Sequence, residues 1–354
     1  MDISIRRTTQ KKPRPPASDL GWGQYFTDHM FLMDYEPGRG WHNPRIEPYG
    51  PLTIDPAAAV LHYAQELFDG FKAIRGEDDK VRLFRPDRHC ARLAEGSVRM
   101  CIPPVPTDAM LQAVLEFVRV DQDWVPSQRN AALYLRPTLI GTEPFLGVRP
   151  SRTYTFFIIG SPVGAYYAEG FNPVSIWVEQ ECVRAARGGL GAVKAGANYA
   201  ASLYAAERAK KHGYSQVLWL DAAEHKYLEE VGTMNLFVGI DGTFITPPLE
   251  GSILEGVTRN SIITLLRDWN YEVVERRLSI DEIQEAHTQG RLNEIFGCGT
   301  GAVISPVGEL GHKDKRLSIN DRKPGPVSQR VFEELTGIQQ ARIPDTRGWL
   351  VPID

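Results

Sequence analysis

The feature that most constrains the fold is a break rich in glycine, proline and small residues at 161–170 (SPVGAYYAEG). It lies near the middle of a chain of 354 residues, which is too long for one ordinary core. Strand and helix patterns alternate on both sides of it, so the sequence predicts a mixed α/β fold of two domains joined there. The expected parts are a flexible extension over 1–18, a small α/β domain over 19–160, the linker 161–170 and a large domain over 171–354.

Hydrophobic periodicity and capping residues predict the elements within each half. The first half is expected to contain helices over 57–68, from Asp87 to about residue 100 and from Thr107 onward, and strands over 131–139 and 154–159. The second half is expected to contain strands over 173–179, 216–220, 235–240 and 271–276, and helices over 198–212 and 257–269.

Composition and missing motifs exclude several classes of function. A net charge of -4 gives no electrostatic case for nucleic acid, and no apolar run reaches the length of a membrane span. The four cysteines form no CxxC pair, which argues against a disulfide scaffold or a cysteine zinc site and favours a reduced, cytoplasmic setting. The HExxH, GxSxG and Walker A motifs are also missing, so no metal is expected.

The first 18 residues are basic and rich in proline. They contain no apolar segment of the kind found in a secretory signal, and the prolines disfavour an amphipathic targeting helix. We therefore expect a mobile extension rather than a targeting peptide.

Lys194 is the most informative single residue. No lysine occurs from 81 to 193, and Lys194 then lies in a glycine-rich stretch, RGGLGAVKAGAN (187–198). A lysine that forms a Schiff base must be neutral to attack a carbonyl, and an apolar pocket lowers the pKa of its amine from about 10.4 in water. The glycines would also let the backbone approach a flat ring closely. The alternative is an ordinary lysine, although a solvated side chain needs no such setting.

Two other charged positions have both a functional and a structural interpretation. Helical spacing puts Arg88, Arg92 and Arg99 roughly on one side, which indicates either a solvated basic face or a fork that binds phosphate. Glu229 and Glu230 are adjacent, so at most one should point inward from a strand. A buried carboxylate here would need a cation such as a protonated pyridine nitrogen, whereas the alternative is a pair of surface glutamates in a turn.

Two segments are suited to hold a phosphate. Val257 and Thr258 open a predicted helix, where free N–H groups and the helix dipole favour an anion. The segment GCGTGA (297–302) follows a strand-like stretch and is able to form a backbone nest. A tight turn is the alternative for each. The glycines of the second segment also match half of a dinucleotide-binding fingerprint, but no helical pattern follows them.

Nine longer segments carry a family resemblance. They read QYFTDHM, LFDGFKAIRG, RPTLIGTEPFLGV, SPVGAYY, VKAGANYAASL, QVLWLD, EEVGTMNLF, LEGVTRNSI and FGCGTGAVISPV. In this order they resemble the branched-chain amino acid aminotransferases of the pyridoxal-phosphate fold type IV class. The chain is similar to the longer form found in animals and many bacteria, from about Phe26 to the C-terminal region.

The resemblance implies a role for each matching position. Lys194 would bind pyridoxal 5'-phosphate as a Schiff base, Glu230 would pair with the pyridine nitrogen, and Tyr199 would face the phenolic oxygen. The other implied cofactor contacts are Arg92, Thr233, Val257, Thr258, Gly299 and Thr300. The implied substrate pocket contains Phe26, Tyr63, Phe68, Tyr134, Arg136, Tyr166 and Thr233, with the backbone N–H groups of Gly301 and Ala302 toward the substrate carboxylate.

The resemblance also implies an activity and a homodimer. The activity is reversible ping-pong transfer of the amino group between L-leucine, L-isoleucine or L-valine and 2-oxoglutarate. The large domain would be the one that binds the cofactor. A loop with Leu146 and Val148 would reach the neighbouring subunit's site. Some animal members carry a redox CxxC after the GTxx turn; here residues 302–305 read AVIS, so that switch should be absent.

Two rival functions follow from the same residues. A D-amino acid aminotransferase or an aminodeoxychorismate lyase shares the fold, but such chains are typically shorter and lack the EPFLGV and GFKAIRG segments. A non-catalytic binding protein on this fold would be favoured by loss of Lys194, Arg92 or Glu230, and all three are present.

Overall fold

The computed structural model describes residues 1–164 and 171–353. The predicted linker at 161–170 therefore lies partly outside the described residues, and Tyr166 lies wholly outside them. Its strands are β1 (Ser4–Ile5), β2 (His29–Glu36), β3 (Gly40–Pro48), β4 (Glu66–Phe68), β5 (Phe71–Arg75), β6 (Val81–Phe84), β7 (Ala132–Gly141), β8 (Tyr154–Val163), β9 (Val174–Val178), β10 (Gln216–Leu220), β11 (Leu228–Val231), β12 (Asn235–Ile240), β13 (Thr243–Thr246), β14 (Val273–Glu275), β15 (Leu292–Gly299), β16 (Val303–His312), β17 (Lys315–Ser318) and β18 (Leu350–Pro352). Its α-helices are α1 (Ala59–Tyr63), α2 (Pro86–Arg99), α3 (Thr107–Val120), α4 (Gly196–Lys211), α5 (Val257–Asp268), α6 (Ile280–Thr288) and α7 (Pro326–Gln339).

The chain divides into two compact units. The described residues of unit 1 are 1–164, 194–196 and 336–353, and those of unit 2 are 171–193 and 197–335. The sequence placed 336–354 in the second domain. In the structure this segment belongs to unit 1 because β18 pairs antiparallel with β6, Leu350 facing Phe84.

Unit 1 is built on one sheet with the strand order β1-β3-β2-β8-β7-β5-β6-β18, and β4 pairs with β7. Its long strands are antiparallel, and the β7–β8 ladder alone pairs ten residues of each strand. Helix α3 contacts β2 and buries Val114, Phe117 and Val118, which lie on one face at helical spacing. Burial of apolar side chains, of which these three are examples, supplies the main favourable free energy of folding for this unit.

The predicted helix over 57–68 is wrong in its second half. Helix α1 ends at Tyr63 because Ala64 adopts a left-handed backbone conformation with φ 48°. Residues Glu66–Phe68 form β4 instead, and their pairing with β7 sets Leu67 opposite Leu139. Pairing of β4 with β7 therefore overrides local helical propensity here. It places Phe68 at the end of a strand of this sheet, with Asp69 directly after it.

The N-terminal residues make specific contacts with unit 1. The backbone N–H of Thr8 donates to His29 Nε2 at 2.9 Å, and that of Lys12 donates to Asp28 Oδ1 at 2.8 Å. The sequence predicts a mobile extension over 1–18. In the structure these hydrogen bonds tie the segment to β2 and to the residue before it.

Unit 2 is built on a second sheet with the strand order β11-β10-β9-β16-β15-β12-β13-β14, and β17 pairs with β16. Strand β12 is buried along its whole length, and its sequence is apolar after Asn235. The predicted strands over 216–220 and 235–240 and the predicted helix beginning at 257 are confirmed. This sheet places Glu230 on β11 and a tight turn between β15 and β16.

Helices and sheets together confirm the predicted mixed α/β class. None of the helices in the described part of the chain combines the length and the apolarity needed to cross a bilayer.

Candidate active site

Lys194 lies against aromatic and charged side chains of unit 1. Its Nζ is 5.1 Å from the centre of the Phe68 ring, and its carbonyl accepts a 3.0 Å hydrogen bond from the Phe68 N–H. The guanidinium of Arg136 lies 4.4 Å from the same ring and donates to the Tyr134 hydroxyl at 3.1 Å. The structure therefore brings four of the predicted residues, Lys194, Phe68, Tyr134 and Arg136, into one cluster.

The surroundings of Lys194 favour its neutral amine. Burial lowers the pKa of Lys194 to about 8, and the positive charge of Arg92 adds to the effect. Tyr134 and Asp69 act in the opposite direction but do not outweigh burial. A lysine with such a pKa exposes a nucleophilic amine near neutral pH, as covalent chemistry at a carbonyl requires.

We expect the reactivity of Lys194 in the cofactor-free protein to rise with pH and to level off above about 8, because the neutral amine is the reactive form. An ordinary lysine would reach that plateau near about 10.4. Brief acetylation at a series of pH values, followed by peptide mass spectrometry, measures the midpoint, with the exposed Lys210 as an internal reference. A midpoint for Lys194 near that of ordinary lysine would contradict the assignment.

Arg92 is held by a buried carboxylate. Its Nε and Nη2 donate to the two oxygens of Asp69, each at 2.8 Å, and His89 Nδ1 lies 2.8 Å from Asp69 Oδ1. Arg92 and His89 hold the pKa of Asp69 far below its usual value against the opposing effect of burial. Arg88 and Arg99 are exposed, so Arg92 is not part of a solvated basic face. A guanidinium fixed in this way is suited to bind phosphate.

We expect Asp69→Asn to lower the free energy of unfolding by about 3–5 kcal/mol, because it removes the charged carboxylate that Arg92 and His89 both contact in a site where Asp69 is only 1% exposed. Denaturant unfolding of the apoprotein measures the change. The control is Asp79→Asn, since Asp79 pairs with Arg75 but is 86% exposed, and its loss should cost about 1 kcal/mol or less. Equal effects of the two substitutions would overturn the structural role of Asp69.

Two glycines near Lys194 allow other segments of the same chain to pack closely against the backbone. A Cβ at Gly196 would lie 1.6 Å from Glu66 Oε1, and one at Gly191 would lie 2.3 Å from the Ser252 carbonyl oxygen. The sequence suggested that these glycines admit a flat ring, but at these two positions other parts of the chain fill the space. Asn198, where a helix was expected to begin, lies inside α4, and its Nδ2 donates to the carbonyls of Leu190 and Val193.

Glu230 is buried in unit 2 and paired with a cation. Its Oε2 lies 2.8 Å from Nε of Arg184, and its Oε1 accepts a 2.8 Å hydrogen bond from the N–H of Leu254. The side chain of Glu230 is 3% exposed and that of Arg184 is 7% exposed. Glu230 is thus a fixed, buried carboxylate, and the alternative of a surface glutamate is excluded.

Glu229 is buried as well, so the expectation that only one of the pair points inward is wrong. Successive strand residues face opposite sides, and here both sides of β11 are covered. Glu229 accepts a hydrogen bond from the Ser252 hydroxyl and lines a cavity of about 350 Å³ that Glu230 does not line. Burial raises the pKa of Glu229, which favours its neutral form.

The two predicted phosphate segments lie at a helix N-terminus and at a strained turn. Val257 and Thr258 form the first turn of α5, which has no acidic residue and no side-chain cap at Gly256. Gly299 ends β15, and β16 begins at Val303, whose φ is 64°. A left-handed conformation in a β-branched residue is strained, and such strain is typical of functional sites.

The remaining predicted residues lie in other surroundings. Phe26 stacks on Tyr49 at 5.2 Å, and the Tyr63 hydroxyl donates to the Leu146 carbonyl. In unit 2, Tyr199 lies in the first turn of α4, and Thr233 is exposed between β11 and β12. Gly301 and Ala302 belong to the β15–β16 turn. No group of three or more His, Cys, Asp or Glu suited to a metal occurs within the described residues.

Sequence reasoning missed Asp69 and Arg184. Asp69 lies inside the LFDGFKAIRG segment, so its position beside a predicted pocket residue was an available signal. Arg184 lies in no motif, and only the folded backbone shows that it meets Glu230.

Comparison with known proteins places the chain in a family. Residues 66–310, most of the chain, match the family described as Amino-transferase class IV. The chain belongs to the class IV aminotransferases. The family that the sequence predicts is therefore confirmed.

Curated relatives and solved structures agree with this assignment. The chain is 50% identical to branched-chain-amino-acid aminotransferase 2 of Bacillus subtilis over 351 residues, which covers 99% of this chain and 97% of that protein. It is 45% identical to the branched-chain-amino-acid aminotransferase of Mycolicibacterium smegmatis over 339 residues, 94% and 92% of the two chains. The crystal structure of the Escherichia coli branched-chain amino acid aminotransferase matches with a TM-score of 0.79 at 26% identity, over 93% of this chain and 100% of that one. The fold is thus that of the family.

Proposed function

We propose that the protein is a branched-chain amino acid aminotransferase that uses pyridoxal 5'-phosphate. The observation that carries the proposal is Lys194, whose amine has a pKa of about 8 beside the Phe68 ring in a class IV aminotransferase chain. Relatives that align over nearly the whole chain bear this activity in their names. A structural neighbour, itself a branched-chain aminotransferase, was solved with pyridoxamine 5'-phosphate.

The residues present fit that cofactor. Lys194 supplies an amine for the aldehyde, and the buried carboxylate of Glu230 suits a protonated pyridine nitrogen. Arg92 in unit 1, and in unit 2 the first turn of α5 and the turn over 299–302, are each of a kind that would donate to a phosphate. Tyr199 would contact the phenolic oxygen, and Thr233 would complete the cofactor contacts.

Each residue would act by holding or moving a proton. When bound, the cofactor supplies an electron sink for the negative charge that develops as the substrate loses its α-proton. Lys194, whose lowered pKa of about 8 makes the neutral amine more accessible than in an ordinary lysine, would take the proton from the α-carbon and deliver one to the C4′ carbon. Glu230 would keep the proton on the ring nitrogen and so stabilise the developing charge.

The side chains around Lys194 suit both types of substrate. The rings of Phe68 and Tyr134 provide an apolar wall for the side chain of leucine, isoleucine or valine. Arg136, packed on Phe68 and bonded to the Tyr134 hydroxyl, would pair with the γ-carboxylate of glutamate or 2-oxoglutarate. Phe26 and Tyr63 would add to the pocket, and the N–H groups of Gly301 and Ala302 would bind the substrate carboxylate.

A steady-state assay tests the reaction and its substrates. With L-leucine and 2-oxoglutarate we expect glutamate and the branched 2-oxo acid in equal amounts, and parallel double-reciprocal plots because the amino group is transferred in two half-reactions. D-alanine in place of L-leucine is the discriminating comparison. Turnover of D-alanine without turnover of L-leucine would favour the D-amino acid aminotransferase instead.

We further propose a homodimer that acts in the cytoplasm. The loop side chains of Leu146 and Val148 are 61% and 87% exposed, which is unusual for apolar residues and suits contact with a second copy. The four cysteines are free thiols, in agreement with a reducing compartment. The domain boundaries expected from the sequence remain part of this proposal, except that residues 336–353 belong to unit 1.

We expect Val148→Asp to shift the protein from dimer to monomer and to reduce turnover, because a charge would be buried at the interface. Sedimentation velocity measures the shift. Val98→Asp is the control, since Val98 is also exposed, at 67%, but lies on α2. A dimer that tolerates Val148→Asp as well as it tolerates the control would contradict the proposed loop contact.

A further inference from the structure

Arg184 is a buried guanidinium whose position is fixed by the backbone of unit 2. Its Nη1 donates to the carbonyl of Ser252 at 2.6 Å, and both terminal nitrogens lie 3.3 Å from the carbonyl of Gly191. These bonds leave Nε directed at Glu230 Oε2, 2.8 Å away. Because the planar fork is held by carbonyl groups, its direction is set by the fold rather than by Glu230 itself.

Glu230 has little freedom within this arrangement. Arg184 contacts one carboxylate oxygen, and the Leu254 N–H contacts the other. The side chain of Asn235 donates to the Leu254 carbonyl at 2.9 Å, which fixes that segment in turn. Both oxygens of Glu230 are therefore held in one orientation.

The two neighbouring carboxyl groups, Glu229 and Asp221, do not compete with Glu230 for Arg184. Glu229 lies close enough for Arg184 to lower its pKa, but burial dominates and raises the pKa of Glu229 overall. Asp221 accepts four backbone N–H groups and contacts Arg277, so its charge is compensated within its own turn. Glu230 is consequently the carboxylate that Arg184 pairs with directly.

We propose that Arg184 is a positioning residue that keeps Glu230 charged and fixed for its contact with the ring nitrogen of the cofactor. This inference rests on the proposed function. An arginine stays protonated at all physiological pH values, so it gives Glu230 a permanent cationic neighbour. Loss of Arg184 would remove a cationic contact from a buried carboxylate, which shifts Glu230 toward its neutral form. A neutral Glu230 would no longer stabilise a proton on the ring nitrogen.

The test compares Arg184→Gln and Arg184→Lys with a control, Arg187→Gln, three residues further along the chain. Arg187 is 57% exposed and pairs with Glu250. The readouts are the cofactor dissociation constant of the apoprotein, the pH midpoint of the visible absorbance of the holoenzyme, and kcat and KM for L-leucine. Far-UV circular dichroism establishes that each variant is folded.

We expect Arg184→Gln to lower kcat by about 100-fold with a much smaller change in KM, because the lost interaction acts on developing charge. The pH midpoint of the absorbance should rise, since loss of the ring proton removes a positive charge that opposes protonation of the lysine-linked nitrogen. Arg184→Lys should recover part of both effects, and Arg187→Gln should match the wild type. A folded Arg184→Gln protein with wild-type kcat and midpoint would overturn the proposal.

A double substitution tests the proposal without the Arg184→Gln variant, should that variant fold poorly. If Arg184 acts through Glu230, then adding Arg184→Lys to Glu230→Gln should lower kcat little beyond Glu230→Gln alone. Fully additive losses would overturn the proposal. Failure of the proposed function is distinguishable, because it would appear as a wild-type holoenzyme that does not respond to L-leucine.

Discussion

Lys194→Ala should abolish transamination while leaving the protein folded. The substitution removes the amine that we propose binds the cofactor and moves the α-proton, so turnover of L-leucine with 2-oxoglutarate should fall by about 10⁴-fold or more. The fold should persist because burial disfavours the charged amine and lowers the pKa of Lys194 to about 8, so its removal relieves a desolvation cost. A coupled glutamate assay and thermal unfolding measure the two effects.

A second buried lysine provides the control for this experiment. Lys72 lies in unit 1, and burial lowers its pKa to about 8 as well. Lys72→Met keeps the apolar stem and should retain most of the activity. Near-wild-type turnover by Lys194→Ala, or equal losses in both variants, would remove Lys194 from the reaction.

Glu230→Gln should retain the cofactor and react far more slowly. The amide preserves the size of the side chain and still accepts a hydrogen bond, so binding through Lys194 and the phosphate contacts persists. The negative charge that favours a protonated ring nitrogen is lost, and we expect kcat to fall by about 10²–10³-fold. Single-turnover absorbance measurements with L-leucine give the rate of the half-reaction.

Glu229→Gln is the matched control, because Glu229 directly precedes Glu230 in β11 and is also buried. Burial raises the pKa of Glu229, so the fold disfavours its charge, and an amide keeps the size of the side chain. Its activity should stay within a few-fold of the wild type. An unchanged rate in Glu230→Gln would remove Glu230 from its role, whereas equal losses at both positions would indicate a general effect of altering the strand.

The sequence predicted the parts of the site that depend on local pattern. The setting of Lys194, the helix N-terminus at Val257 and the turn over 297–302 are each contained in a short segment, and the structure shows the corresponding elements. Family resemblance added the roles of these residues, which no spacing rule supplies. The cofactor and substrate contacts themselves stay predictions until the variants are measured.

The contacts that the sequence did not predict are those between distant segments. Asp69 contacts Arg92, 23 residues later in the sequence, and Arg184 contacts Glu230, 46 residues later. These contacts form only when the folded chain brings the segments together. The strand at Glu66–Phe68 was likewise missed, because its identity is set by β7 rather than by its own residues. Long-range pairing of this kind leaves no periodic signal in a single sequence.

The most direct test of the central claim is the absorbance spectrum of the purified holoenzyme before and after addition of L-leucine alone. We expect a visible band of lysine-bound cofactor that falls as an ultraviolet band of the amine form rises, with one 2-oxo acid released per site. D-alanine should leave the spectrum unchanged. A visible band that ignores L-leucine would contradict the substrate assignment, and the lack of any band after incubation with pyridoxal 5'-phosphate would contradict the role of Lys194.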